Sequence, residues 1–177
     1  MKRKLVACGV VIGALTLTGC GSDDGAEETD TEIVSSSQTP EFKEKDVDQK
    51  KVKDNLGEPV KDDGLGIEWT LQGVYPDDVS GAVVTVMAKN TNDVPVPPEA
   101  LDKPKLEIAD GNNRFTGIDL IDFTPEQDPS ALPPGLDEPL GAGATTNLQY
   151  RFDTTAASLW NARLSIGNVV WEGNLNL

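Results

Sequence analysis

The sequence contains no histidine, and its two cysteines, Cys8 and Cys20, both fall within the first twenty residues. Without an imidazole there is no Ser-His-Asp or Cys-His catalysis and no histidine-based zinc or copper site. With no cysteine beyond position 20, no disulfide can staple what folds after it, so that part must hold by packing alone. Met87 is the single methionine after the initiator, too few for methionine-ligated copper. Glycine-rich phosphate loops, Gly-x-Ser-x-Gly elbows and Ser-x-x-Lys motifs are absent too. Positive charge is also in deficit, with 15 Lys and Arg against 30 Asp and Glu, a net charge of −15. Such a surface repels phosphate backbones, which excludes nucleic acid as a partner on electrostatic grounds.

No apolar run is long enough to span a bilayer. The longest, residues 5–18, has fourteen residues, whereas a spanning helix needs about 20 and the apolar part of a signal peptide about 7–15. It follows Lys2, Arg3 and Lys4 and ends in Leu17-Thr18-Gly19-Cys20. A basic start, a short apolar stretch, two small residues and a cysteine resemble the lipobox of bacterial lipoproteins. The resemblance implies that residues 1–19 are a signal peptide, removed before Cys20, and that the Cys20 sulfur carries a diacylglyceryl group. Two acyl chains suffice for stable anchoring where one is marginal. The expectation is a chain held by Cys20 to the lipid bilayer on the extracytoplasmic face of the cell membrane. Losing Lys2, Arg3 and Lys4 makes the remainder three charges more negative, −18.

Residues 20–58 read as a tether. Asp23, Asp24, Glu27, Glu28, Asp30 and Glu32 come without a basic residue between them, and a small polar run follows at 35–40. Such a stretch cannot bury enough apolar surface to order itself. As a flexible coil, residues 21–58 would hold the domain at an average of roughly 35 Å from the lipid. Between 41 and 54 the charges alternate in sign, and Phe42, Val47 and Val52 recur every five positions, which makes no continuous helical stripe. A solvated linker is expected there, with a lysine patch for anionic envelope polymer as the alternative.

From residue 59 the pattern is that of strands. Ile67, Trp69 and Leu71 alternate with Glu68, Thr70 and Gln72, and residues 82–89 are apolar on both faces, as in a central strand. A third strand is expected at 105–109 before the Asp110-Gly111-Asn112-Asn113 turn, and a fourth from Arg114 to about Phe123. Leu148, Tyr150 and Phe152 alternate with polar residues, Leu164 and Ile166 follow, a last strand lies near 169–171, and residues 154–160 suit one helical turn. Short alternating strands and regular turns predict an antiparallel β-sandwich over 59–177.

Three segments carry a further resemblance: VVTVMAKNTN at 83–92, LEIADGN at 106–112 and LGAGATTNLQYRF at 140–152. Together they resemble the immunoglobulin-like domain family of unknown function found in lipoproteins of Gram-positive, chiefly actinobacterial, bacteria. That fold class is similar to the one of mycobacterial secreted immunogenic antigens. The resemblance implies an exposed immunoglobulin-like sandwich without an established reaction.

The remaining chemistry lies in carboxylates. Asp62-Asp63, Asp77-Asp78, Asp119 with Asp122, and Glu126 with Asp128 are acidic pairs, none with the spacing of a calcium loop. They are expected to be surface acids, with calcium binding or carboxylate-dependent hydrolysis as the alternative. Residues 117–139 carry Pro125, Pro129, Pro133, Pro134 and Pro139, and irregular connections of this length are often functional. Phe123 and Leu132 on this loop, with Trp160, are the candidate partner-binding residues. Trp69 and Trp171 fall in strand patterns and are expected in the core. Together these features favour a non-enzymatic module without cofactor or metal, meeting an envelope protein or polymer. An accessory subunit docked on an envelope membrane complex by a sheet edge is the other reading.

Overall fold

The computed structural model describes residues 40–76, 81–112, 114–122 and 134–177. All fall in the second of the two units into which the chain divides, Gln38–Leu177. The signal peptide, Cys20 and the acidic part of the tether lie outside the described residues, as do Phe123 and Leu132.

Among the described residues nine strands form two sheets. Strands β1 (Lys50–Val52), β9 (Val169–Gly173), β8 (Ala162–Ile166), β5 (Lys105–Ala109) and β6 (Phe115–Ile118) make a five-stranded sheet in that order. Strands β2 (Val60–Asp62), β3 (Ile67–Pro76), β4 (Ala82–Asn90) and β7 (Thr145–Phe152) make a four-stranded one. Every pairing is antiparallel except β1 with β9. The chain crosses between sheets four times, after β1, β4, β6 and β7. Among the described residues helix is confined to short 3-10 turns, Pro98–Ala100 and Ala156–Asn161, the second kinked at Leu159.

Alternation does the packing. Ile67, Trp69 and Leu71 of β3, Val84 and Val86 of β4, and Leu148, Tyr150 and Phe152 of β7 face Leu106, Leu164, Ile166, Val169 and Trp171 of the other sheet in one continuous core. The fold is an all-β, two-sheet sandwich. Trp69 and Trp171 are both fully buried in it. Strand β4 lies between β3 and β7, which explains its apolar residues on both faces. Desolvation in this core pushes the Tyr150 hydroxyl up to about 12.

Two expectations are corrected. The stretch up to Glu58 is not all tether: β1 pairs with β9 from Lys50 against Val169 to Val52 against Trp171. Lys45 N donates to Gly64 O at 3.0 Å and Lys50 N to Asn168 O at 2.7 Å, Phe42 and Val52 pack on the core, and Leu56 is buried within it. The five-residue spacing of Phe42, Val47 and Val52 conceals this arm, because its docking depends on a strand more than a hundred residues away. The expected fourth strand ends at Ile118 rather than near Phe123. Residues 119–121 then cross to the other sheet, where Leu120 bridges Phe152 and Ile121 N donates to Arg151 O at 2.7 Å.

Candidate functional site

The two ends of the sandwich use their polar residues differently. At the end where the arm joins, Asp62 is buried and accepts five hydrogen bonds. These come from Gly64 N (3.0 Å), Leu65 N (3.1 Å), Asn168 N (2.8 Å), Asn168 Nδ2 (3.0 Å) and Trp69 Nε1 (3.4 Å). This corrects the expectation of a surface acid: Asp62 is a structural carboxylate whose oxygens are fully engaged by fixed donors.

The Lys-Asn-Thr-Asn segment has the same kind of role. Asn90 is fully buried, and its amide nitrogen reaches the carbonyls of Val94 (2.9 Å), Leu140 (2.9 Å) and Gly141 (3.0 Å). Its oxygen accepts from Asn92 N at 2.8 Å, while Asn92 Nδ2 reaches Leu65 O at 2.9 Å and Thr91 Oγ1 reaches Gly66 O at 2.7 Å. Gly66 has φ +61, and a Cβ there would overlap the Asn92 side chain. The motif that carries the family resemblance is thus a staple between loops.

The outer face of the five-stranded sheet carries a charge ladder. Lys53 Nζ pairs with Glu172 at 2.8 Å, Glu172 with Arg163 at 2.9 Å, and Arg163 with Glu107 at 3.3 Å, while the guanidinium lies 3.9 Å from the Phe115 ring centre. Hydrogen bonds from Lys53 and then Arg163 hold the Glu172 carboxyl below its usual range, and the Glu172 bond raises Arg163. Each charge here has a partner within the sheet.

Toward the other end of β9 three segments carry no charge of their own, although the arm, with Lys53, Asp54 and Glu58, runs up to them. Residues 69–76, 154–162 and 173–177 contain no charged side chain, although a quarter of the whole chain is charged. These 22 residues would carry five or six charges at that frequency, so the gap marks a distinct surface. The three segments meet in space. Leu175 N donates to Leu159 O at 2.9 Å, and both leucines are fully buried. Leu177 lies over β3, its Cβ 3.6 Å from where a side chain on Gly73 would begin. The 3-10 helix packs on β3, β5 and β9.

Among the described residues the exposed large apolar side chains are Tyr75, Trp160 and Leu177, one on each of these segments, with Trp160 66% exposed. Ala162, just after the helix, pairs with Gly173 at the far end of β9 from Val169, where the arm docks. The arm runs along the same strand: Leu56 Cδ1 lies 3.3 Å from where a side chain on Gly173 would begin, and Leu177 Cδ1 lies 3.2 Å from where one on Gly57 would, so the arm ends beside this surface. Trp160 is the one candidate binding residue whose surroundings are described. Asn161 follows it on the turn, and the tail that carries Asn174, Asn176 and Leu177 is tied to the turn through Leu175. Their signal in the sequence is the three charge-free runs, which only the topology brings together.

A second concavity, about 430 Å³, is lined by Lys105, Glu107, Gly117, Ile118, Leu120 and Ser165, beside the point where the chain runs on toward Phe123. Of the four outermost strands β7 has eight residues and is bridged at Phe152 by Leu120, whereas β1, β2 and β6 have three, three and four, with Lys50, Lys51 and Lys61 exposed on β1 and β2. Short, lysine-bearing edges of this kind resist strand addition. Among the described residues no three carboxylates or thiols are grouped to hold a metal ion. The fold and this surface define an all-β domain with an exposed tryptophan on the 3-10 turn that links β7 to β8. No family model, curated protein or solved structure matches the chain.

Proposed function

We propose that the chain is a lipoprotein anchored through diacylglyceryl Cys20 on the extracytoplasmic face of the membrane, and that its sandwich is a non-enzymatic binding module. The module is immunoglobulin-like, and the patch around Trp160 is its contact with an envelope protein or polymer. The observation that carries this reading is the place of the patch. Three segments without charged side chains come together around the 3-10 turn, where Trp160 is exposed. The order of sheet crossings, the parallel first strand beside the last, and the strand-and-turn segments at 83–92, 106–112 and 140–152 support the immunoglobulin-like assignment. The lipobox supports the anchor.

Two measurements test it. Radiolabelled palmitate fed to producing cells should enter the wild-type protein and not Cys20→Ser, which should leave the membrane fraction. A photocrosslinking amino acid at position 160 should capture an envelope component that the same group at exposed Lys61 does not. Label retained by Cys20→Ser refutes the anchor, and equal capture at both positions refutes the patch.

A further inference from the structure

We propose that β7 is a self-pairing edge, through which two copies of this chain join their four-stranded sheets by antiparallel pairing of β7 with β7 about a two-fold axis at Asn147. Strand β7 is outermost in its sheet and the longest of the four outermost strands. Its backbone groups alternate in direction. Asn90 N donates to Ala144 O at 2.9 Å, so the even-numbered residues of β7 turn their N–H and C=O groups to β4 and the odd-numbered ones turn theirs away. Arg151 obeys the same alternation, its outward carbonyl accepting from Ile121 N at 2.7 Å. Residues 119–121 therefore cover the C-terminal end of this edge. Among the described residues nothing bonds the backbone of Thr145, Asn147 or Gln149. Outward donors and acceptors repeating every second residue are matched by another extended strand.

The side chains select which strand. About a two-fold axis each residue near the axis meets its own kind, so a charged strand repels itself. Self-pairing of β1 or β2 would set lysine near lysine, because Lys50, Lys51 and Lys61 are exposed there. Around β7, residues 139–150 carry no charge at all, although a quarter of the chain is charged. Asn147 then lies opposite the second copy's Asn147, and Thr145 opposite its Gln149. Each such pair exchanges two backbone hydrogen bonds, and all three residues are exposed, with hydroxyl or amide groups that both donate and accept. Gln72 Nε2 donates to Asn147 Oδ1 at 3.2 Å, which holds that side chain over the outer face of the sheet. Residues 135–137 stand beside this edge without bonding it: Leu136 packs on the core, and a gap of about 180 Å³ is left against 146–149. Of the residues lining that gap Asp137 alone is charged. Two copies with net charge −15 repel at long range, and salt screens that repulsion.

No cysteine lies beyond position 20, so introduced cysteines report the register. In producing cells, mild copper–phenanthroline oxidation should link Asn147→Cys to itself, since the Cα atoms of such a pair lie about 5.5 Å apart. The unaltered chain, Thr145→Cys alone and Gln149→Cys alone should stay unlinked, whereas co-expressed Thr145→Cys and Gln149→Cys should link to each other. Sedimentation equilibrium of the purified chain in detergent should show a monomer–dimer equilibrium that tightens several-fold from low to high NaCl. Asn147→Lys and Asn147→Asp each face their like across the axis and should each weaken the dimer about tenfold or more. Mixing the two variants should restore association, a rescue that misfolded variants would not give. Absence of a dimer in either assay, linking at 145 or 149 alone as strong as at 147, or undiminished association of both charged variants would overturn the proposal. Linking of Asn147→Cys to a different envelope protein and not to itself would keep β7 as a docking edge and overturn the second copy as its occupant.

Discussion

At the arm end of the sandwich, Asp62, Asn90, Asn92 and Asn168 direct nearly all of their hydrogen-bonding capacity inward. At the other end, Trp160 and three asparagines stand on charge-free backbone with much of theirs turned to solvent. The same residue type, asparagine, is structural at one end and available at the other. Residue identity is therefore a poor guide to role. What decides is whether nearby backbone groups face the side chain, and that depends on which loops the topology brings together.

Mutation can break this contrast, and the largest effect is expected at Asp62. Asp62→Ala strands five buried or half-buried donors and should cost about 3–5 kcal/mol in urea denaturation. A loss below about 1 kcal/mol would show that the arm end is not held by this network. Asn90→Ala removes the staple to 94 and 140–141 and should cost about 2–3 kcal/mol by the same assay.

The core between the two ends can be loaded by pH. Tyr150 is held neutral by burial, with its pKa raised from 10 to about 12. Its contribution is complete below pH 10 and is lost as pH rises toward 12, because the unfolded tyrosine ionises first. The loss should be on the order of 2–3 kcal/mol, and Tyr150→Phe should flatten that part of the stability profile.

The two core tryptophans give a smaller, paired comparison. Trp69 Nε1 donates to Asp62 whereas Trp171 Nε1 has no partner. Trp69→Phe should therefore be worse than Trp171→Phe by about 1 kcal/mol in urea midpoint analysis, with similar lost area in each. Smallest of all, Trp160→Ala should move stability by no more than about 0.5 kcal/mol, since the ring supports nothing. A large loss there would make the patch structural and erase the contrast.

Much of the sandwich could be read from alternation. Ile67-Trp69-Leu71, Leu148-Tyr150-Phe152 and Leu164-Ile166 announce their inner faces without knowledge of partners, as does the doubly apolar β4. The arm could not be read this way, because Lys50–Val52 has no alternation and gains its place only from β9. Asp62 was concealed for a related reason. In sequence it is one of two adjacent acids, yet β2 turns Asp62 inward and leaves Asp63 exposed. Of the site, Trp160 was visible as the tryptophan outside any strand pattern. The place of Leu177 over Gly73 was not, since it depends on the return of the chain past Leu159.

The parallel pairing of β1 with β9 also has a mechanical side. The arm reaches the sandwich beside Gly64 and Asn168 and runs along β9 toward the patch end. A pull on the chain that precedes β1, resisted by the rest of the sheet, would act along the axis of β1. Its hydrogen bonds to β9 would then bear the load together, in shear, instead of opening one after another.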